Sequence, residues 1–399
     1  MTTENISPRT ASEPTVRLIS FATLFVIGTD TFLTAPLLPL LQREFSVTVS
    51  QSGWLVSAYA LGYALFALIA GPVSDRLDRR KVLLSGLIGF TLLTAACGGA
   101  WDFWSLFTAR LLTGIAAAFV TPQIWASIPV LVVPSSIVKT MGYATAGLAI
   151  AQVAGIPIAS FLSSLGWRVS FFAIATAGAL LWILLYTRFP NVRPASATKG
   201  GLFTPYAYVV RSRPLMLSLS AYLLFQTGNF AALSFIGSWF SRDFGATQTM
   251  IGAAMIVIGL GNAIGSLTGS RLVSHLGQQR SLLLGIIALG AIYLLTAFVH
   301  TMWIAIAVLA LGMLVGGFLF PVLMSELQSH TDLARGTVSS LANAAMYAGT
   351  TIGGAVGGHL LTQFSGYSGV AVFTVVAYTA SLGVYALGGA FRTDARSIQ

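Results

Sequence analysis

Charged residues are scarce in this chain. Asp, Glu, Lys and Arg make up only 8% of its 399 residues, whereas 56% are apolar. Soluble domains carry roughly 25% charged residues. So few charges cannot cover a surface that faces water, and the composition therefore excludes a soluble globular protein. It predicts a protein that crosses a lipid bilayer several times.

Reactive side chains are also few. The chain has a single cysteine, Cys97, which excludes an intrachain disulfide, and only four histidines. No His, Cys or carboxylate cluster in the sequence has the spacing of a metal site, and the glycines form no phosphate-binding loop. We therefore expect no catalytic residue, no metal, no cofactor and no enzymatic activity.

The few charges separate long neutral runs. A helix needs about 20 apolar residues to cross the hydrocarbon of a bilayer. Seven neutral runs each hold one such helix, two longer runs each hold a pair, and residues 17–41 form the first helix, with Asp30 in its middle. The sequence therefore predicts twelve transmembrane helices. The single runs are 45–74, 82–101, 111–138, 140–167, 169–187, 214–241 and 244–270, and the paired runs are 281–325 and 336–391.

The 21 Lys and Arg residues are distributed unevenly. With loops assigned to alternate sides, the side that holds both termini carries 17 of them, the opposite side carries three, and Arg110 falls inside a helix. Positive residues favour the cytoplasmic side, so we expect both termini in the cytoplasm. The net charge of +10 then reflects topology, and we expect no nucleic-acid partner.

A shift of 199 residues aligns the two halves of the sequence without a gap. It places Gly62 on Gly261, Pro122 on Pro321 and Asp30 on Asn229. Because the shift spans six helices, both copies cross the membrane in the same direction, as in a parallel repeat. We predict an all-α fold of two six-helix bundles, a cytoplasmic linker and two cytoplasmic tails. The bundles are residues 17–188 and 214–391, the linker is 189–213, and the tails are 1–16 and 392–399.

Asp30 is the carboxylate that this pattern singles out, because an ionisable group inside hydrocarbon is costly and is by default a functional candidate. It lies 13 residues after Arg17, a rise of roughly 20 Å. Arg110 lies about 10 Å below the opposite face of the membrane, whose hydrocarbon core is roughly 30 Å thick. The two charges therefore lie at the same depth in the membrane. A nearby Arg favours the ionised Asp and burial favours the protonated one. The pair could couple proton movement to transport, or it could be a static ion pair that joins two helices.

Polar and aromatic residues on the helix of Asp30 and on several other helices indicate a central cavity for a mid-sized, partly apolar solute. Each of them could instead hold helices together, since buried amides also do so in membranes. Glu326 is expected at a solvated helix end. The candidate cavity residues are Thr34, Tyr59, Tyr63, Gln152, Gln226, Asn229, Asn262, Asn343 and Tyr347.

Two further segments indicate conformational roles. The loop Gly71–Lys81 carries more cations than orientation requires, and an Asp there can accept hydrogen bonds from a helix N-terminus and latch one conformation. Its candidate latch residues are Gly71, Asp75, Arg76, Arg79 and Arg80. In the fifth helix, small faces allow close approach of backbones, which serves either bending and sliding or plain tight packing. Its candidates are Gly147, Gly155 and Pro157.

The loop resembles the signature loop of the major facilitator superfamily, in which Gly is followed after three residues by Asp-Arg, one residue, Gly and basic residues. Asp78 stands in place of the second Gly, which argues against a left-handed turn there. Arg110 with Gly114 resembles the fourth-helix motif of the family's twelve-helix drug:proton antiporters, and Gly28-Thr29-Asp30 resembles their first-helix motif. Gly155-Ile156-Pro157, followed by Gly166-Trp167-Arg168, is closer to the sugar-efflux and chloramphenicol-resistance-like branch.

The resemblance implies the family's fold and export of a drug or metabolite in exchange for protons, with the proton gradient as energy source. We expect a monomer in a bacterial cytoplasmic membrane, with a small-molecule substrate, protons and the lipid bilayer as partners. Two alternatives remain: a proton-coupled symporter for metabolite uptake, and a membrane sensor or scaffold that transports nothing.

Overall fold

The computed structural model describes residues 12–47, 49–155, 158, 161–162, 165–192, 204–331 and 334–391. Helices account for most of these ranges, which contain no β-strand. The α-helices are α1 Glu13–Phe45, α2 Val49–Ser74, α3 Arg79–Gly98, α4 Phe103–Ala118, α5 Thr121–Leu131, α6 Ile137–Ile150, α7 Trp167–Arg188, α8 Thr204–Arg211, α9 Arg213–Ser234, α10 Ile236–Phe244, α11 Gln248–Leu276, α12 Gln278–Leu295, α13 Met302–Ser329, α14 Arg335–Gln363 and α15 Ser368–Leu387.

Ten helical segments of the described chain are long and apolar enough to cross a membrane. Two of these segments join a pair of helices, since α4 with α5 and α9 with α10 each form one span. The other two predicted spans are α6, which continues as a π-helical turn over Ala151–Gly155, and α14, which has 29 residues but many Gly, Ser and Thr. The prediction of an all-helical, multi-pass membrane protein is confirmed.

The chain forms two compact units. The first comprises residues 1–205 with 332–339, and the second comprises 206–331 with 340–399. In the first unit α2 packs on α4, and α7 packs on both α1 and α3. In the second unit α11 packs on α13, and α15 packs on both α9 and α12. The two units therefore pair their helices in the same way along the chain.

Corresponding positions of the two units also share local geometry. A Cβ added at Gly62 would overlap the Leu111 carbonyl oxygen, and one added at Gly261 would overlap that of Ala310. Gly62 and Gly261 are 199 residues apart in the sequence, and so are Leu111 and Ala310. The absence of a side chain at these glycines lets α2 approach α4, and α11 approach α13, at backbone contact.

Two neighbouring glycines of α14 give a matched test of such packing. A Cβ at Gly353 would overlap the Thr227 carbonyl oxygen, whereas a Cβ at Gly354 would meet open space. We expect Gly353→Ala to lower the free energy of unfolding by about 1–3 kcal/mol through overpacking. Gly354→Ala should be neutral or stabilising by up to about 1 kcal/mol, because Ala favours helix. Thermal unfolding of the purified variants measures both, and equal unfolding temperatures would contradict the packing.

Candidate functional site

Asp30 lies near the middle of α1, seventeen residues after its first residue, Glu13. Helix α1 has Pro14 in its first turn, where a missing N–H costs nothing, and it ends at Ser46 in a left-handed conformation. The turn that carries Asp30 is packed against the π-helical turn and the end of α6, because a Cβ at Gly28 would lie 3.0 Å from the Ala151 and Leu148 side chains. This packing holds the turn that carries Asp30 against α6.

Arg110 is positioned by the start of α4. Asp102 accepts a 2.6 Å hydrogen bond from the Ser105 backbone N–H, and the Asp102 N–H donates in turn to the Ser105 hydroxyl. This reciprocal capping satisfies free N–H groups of the first turn. The Ser105 N–H also holds the pKa of the exposed Asp102 carboxyl below its ordinary value. The cap sets where α4 begins, and Arg110 follows two turns later.

Asp30 and Arg110 form a buried ion pair. The Arg110 Nη1 donates to Asp30 Oδ2 at 2.8 Å, and their side chains are 1% and 0% exposed. The guanidinium lies 4.5 Å from the centre of the Tyr59 ring, and the Tyr59 hydroxyl accepts a hydrogen bond from Thr31. The second carboxylate oxygen, Asp30 Oδ1, has no hydrogen-bond partner among the described residues.

This arrangement gives Asp30 two chemically different oxygens. Oδ2 is held by Arg110, which stabilises the carboxylate. Oδ1 is buried and unpaired, and an unpaired anionic oxygen away from water is costly. Binding a proton at Oδ1 would remove that charge.

The second unit carries a separate hydrogen-bonded network of predicted cavity residues. The Gln226 amide donates to the Tyr222 hydroxyl at 2.7 Å, and the Asn229 amide approaches Gln226 Oε1 at 3.5 Å. The Tyr378 hydroxyl lies 3.4 Å from Asn229 Oδ1, and its ring stacks on Phe225. Gln226 and Asn229 are thus brought together, one helix turn apart, with two tyrosines that sequence reasoning missed.

The remaining predicted cavity residues have diverse surroundings. Tyr59, Tyr63, Thr34 and Asn343 are buried, and Tyr347 is half-buried. Asn262 is half-buried and accepts from the Ser266 hydroxyl at 3.2 Å. Gln152 is exposed and lies in the π-helical turn that follows α6.

Asp75 is the best-connected acid of the Gly71–Lys81 loop. Its carboxylate is fully buried and accepts from the backbone N–H of Gly336 at 2.7 Å, and from the N–H and hydroxyl of Thr337 at 2.8 and 2.7 Å. Gly336 and Thr337 lie in the first turn of α14, whose free N–H groups and dipole favour an anion. Arg79 adds an ion pair to Asp75 at 3.2 Å and donates to the Ala126 carbonyl. Gly71, Asp75 and the start of α14 are all in the first unit.

Of the other loop residues, Asp78 caps α3 and Arg80 contacts the end of α7. Asp78 caps α3 through the Arg80 N–H and lies at φ −60°, so the position that has Gly in the family pattern is not left-handed here. Arg80 donates to the Asn191 side chain and to the Tyr186 carbonyl oxygen, and it lies over the Tyr186 ring. Arg76 is half-buried.

The fifth-helix glycines pack against α1. A Cβ at Gly147 would overlap the Phe21 carbonyl oxygen, and one at Gly155 would lie 3.1 Å from the Thr29 side chain. Both contact partners precede Asp30 on α1, and Thr29 is its immediate neighbour. Pro157, the third residue of this motif, lies outside the described residues.

Glu326 corrects one expectation. It was predicted at a solvated helix end, but it is buried. Its carboxylate oxygens lie 3.1 Å from His330 Nε2 and 3.3 Å from Gln278 Nε2. His330 follows one helix turn later and Gln278 is the first residue of the preceding helix, α12, and both side chains lie against the carboxylate. The spacing of four residues between Glu326 and His330 was the available signal.

The model of the Major Facilitator Superfamily matches residues 20–238 and 218–396. The chain belongs to this family. The family consists of transporters, so the prediction that the chain is not an enzyme is confirmed, and the alternative of a sensor or scaffold is set aside. The protein is a secondary transporter with a small-molecule substrate, embedded in a membrane.

Relatives within the family include proteins with named activities. The chain is 47% identical to the uncharacterized MFS-type transporter YceJ of Bacillus subtilis over 92% of this chain and 94% of that protein. It is 28% identical to the class B tetracycline resistance protein of Escherichia coli, over 84% and 86% of the two chains. It is also 28% identical to a probable sugar efflux transporter of Pasteurella multocida, over 91% of each chain.

Solved structures show the same fold at low identity. The human organic anion transporter MFSD10 matches with a TM-score of 0.78 and 18% identity, covering 94% of this chain and 99% of that one. The fucose:proton symporter FucP of E. coli matches with a TM-score of 0.80 and 16% identity, covering 95% and 99%. At these identities the likeness concerns the fold alone.

Proposed function

We propose that this protein exports a small molecule in exchange for protons, by alternating access, and that Asp30 carries the proton. The observation that carries the proposal is the buried Asp30–Arg110 pair, in which one carboxylate oxygen has no partner among the residues that the structure describes. Ionisable residues inside membrane spans commonly mark proton and substrate pathways. A static pair would be expected to satisfy both oxygens, because each unpaired buried oxygen is costly.

The location of the pair supports a role in coupling. Asp30 lies on the turn of α1 that packs against the end of α6, and Arg110 lies over the Tyr59 ring on α2. Any shift of these helices during a transport cycle would alter the 2.8 Å contact between the charges. Separation from Arg110 raises the cost of the anion, so movement would change the tendency of Asp30 to hold a proton.

The Asp75 contacts provide a conformational latch in the same proposal. Four donors reach the Asp75 carboxylate: the backbone N–H groups of Gly336 and Thr337, the Thr337 hydroxyl and the Arg79 guanidinium. Residues 340–363 of α14 belong to the second unit. Release of its first turn from Asp75 would free α14 to move, and re-formation of these bonds would hold one state.

Export is supported by the named relatives, since a tetracycline resistance protein and a probable sugar efflux transporter both align with most of the chain. We place the protein in the bacterial cytoplasmic membrane with both termini in the cytoplasm, as the excess of Lys and Arg on that side favours. The substrate class we propose is a mid-sized, partly apolar solute, held by amides and tyrosines such as Gln226, Asn229 and Tyr222.

Proton movement that follows addition of a solute tests this proposal. Purified protein is reconstituted in liposomes that enclose a pH-sensitive dye, and members of a panel of drugs, sugars, nucleosides and amino acids, including tetracycline, are added outside. Thermal stabilisation of the purified protein first selects the solutes that bind. An exchanger alkalinises the lumen as the solute enters and protons leave. Acidification would indicate symport, and no change with any binding solute would contradict proton coupling.

A further inference from the structure

A cavity in the second unit lies apart from the residues discussed so far. Its volume is about 250 Å³, and α11, α12 and α13 enclose it with side chains that are nearly all apolar. Among them Leu272, Leu284 and Leu314 are exposed, as residues that face lipid are in a membrane span. Pockets for drug-sized ligands occupy roughly 300–1,000 Å³. The size and lining therefore favour part of a hydrocarbon chain over a transported solute.

Glycines shape the inner wall of this cavity. A Cβ at Gly265 would overlap the Leu314 carbonyl oxygen, and one at Gly269 would lie 2.8 Å from the Phe318 ring. The groove therefore has a floor of backbone and small residues beneath a rim of leucines. Such a floor admits a slender chain but leaves little space for a ring system.

Two hydroxyl side chains interrupt the apolar lining, Thr268 and Ser281, and Thr268 already donates to the Ile264 carbonyl oxygen at 2.7 Å. The Ser281 side chain is fully buried and lines the cavity, and its hydroxyl has no hydrogen-bond partner among the described residues. A buried hydroxyl without a partner costs free energy. Ser281 is the fourth residue of α12, within about 5 Å of the helix start. A hydroxyl this close to the helix start is well placed to donate to the ester carbonyl that joins an acyl chain to the glycerol of a phospholipid.

Positive charge flanks the same end of the groove. Arg271 directly precedes the lining residue Leu272, and Arg280 directly precedes Ser281. Both arginines are exposed, and neither forms an ion pair within the described part of the chain. Exposed cations at the end of a groove between membrane helices favour anionic lipid headgroups.

We infer that this groove binds an anionic phospholipid. One acyl chain occupies the cavity, the Ser281 hydroxyl donates to its ester carbonyl, and Arg271 and Arg280 meet the phosphate. The loop between α11 and α12 is on the cytoplasmic side in the proposed topology, so the lipid comes from the inner leaflet. Lipid binding in this groove does not depend on proton coupling, so its test is independent of the test of proton-coupled transport.

Lipid-dependent thermal unfolding of the delipidated, purified protein tests the site. We expect dioleoyl phosphatidylglycerol to raise the unfolding temperature by about 3 °C or more, and dioleoyl phosphatidylcholine to raise it by much less. Ala288→Trp, which fills the groove, should abolish the shift. Ile287→Trp is the matched control, because Ile287 is the preceding, exposed residue of α12 and does not line the cavity.

Headgroup and ester contacts are tested by milder variants. Arg271→Ala with Arg280→Ala should remove the preference for phosphatidylglycerol, whereas Arg188→Ala, an exposed arginine of the first unit, should keep it. Ser281→Ala should reduce the shift even if Ala288→Trp fails to fold. Equal shifts with both phospholipids in the wild type would overturn the inference. A shift as large with free oleate as with phosphatidylglycerol would overturn the assignment to a phospholipid.

Discussion

Asp30→Asn is expected to abolish accumulation of solute driven by a pH gradient while leaving solute–solute exchange within a few-fold of the wild-type rate. Asparagine has nearly the shape of aspartate and can still accept from Arg110, but it cannot carry a proton. The chain itself has Asn229 at the corresponding position of its second half. Uphill transport and counterflow in proteoliposomes, measured side by side, separate the two activities.

Asp30→Glu is the matched control for this variant, because it keeps a carboxyl group on the same turn. We expect it to retain accumulation driven by the gradient, at a reduced rate. Each of Asp30→Asn and Arg110→Ala leaves one buried charge without its partner, at a cost of about 3–5 kcal/mol. Arg110→Ala should be the more damaging to stability, because it also removes the side chain that lies over the Tyr59 ring. Undiminished uphill transport by Asp30→Asn would show that the pair is static.

Asp75→Asn is expected to lower the transport rate more than tenfold and to reduce the thermal unfolding temperature. The substitution leaves the buried Arg79 guanidinium without its carboxylate and weakens the bonds to Gly336 and Thr337. Losing the charge of a buried pair costs about 3–5 kcal/mol. Hydrogen exchange of residues 335–340 reports the latch itself, and we expect it to rise at least tenfold in the variant.

Two further variants distinguish loss of the Asp75 latch from a general loss of stability. Gly336→Ala removes no charge, but its Cβ would overlap the Ser74 hydroxyl and lie 2.8 Å from Asp75 Oδ1, so it should raise the same exchange. Asp78→Asn should not, because asparagine caps a helix as well as aspartate does. Normal transport by Asp75→Asn, together with unchanged exchange at residues 336 and 337, would refute the latch.

The ion pair was predictable because the physics of the bilayer leaves few options. Asp30 and Arg110 are 80 residues apart, yet the helical rise from opposite faces of the membrane places them at one level. The unpaired Oδ1 could not be foreseen, since it depends on side-chain orientation rather than on height. Sequence reasoning thus identified the pair and left its chemistry open.

Only one side of the Asp75 contact was predictable. A general electrostatic argument, that a helix N-terminus favours an acid, pointed to an Asp in the loop, but the partner lies 261 residues further along. Gly336 and Thr337 carry no mark in the sequence beyond a small residue and a hydroxyl at a helix start. Contacts between distant segments follow from packing, which local patterns do not encode.

The cavity candidates show a different limit. Single amides in membrane helices serve packing or binding equally well, and the structure joins Gln226 and Asn229 to Tyr222 and Tyr378, which aromatic composition alone does not single out. The π-helical turn changes the register of α6, so regular helical spacing does not describe the surroundings of Gln152.

Solute accumulation against an imposed pH difference, at zero membrane potential, tests the central claim most directly. Liposomes that contain the wild-type protein should accumulate the binding solute when the lumen is acidic, and should not do so when both sides have the same pH. Liposomes without protein control for passive trapping of weak bases. Accumulation that is the same with and without the pH difference, or that requires an alkaline lumen, would contradict proton-coupled export.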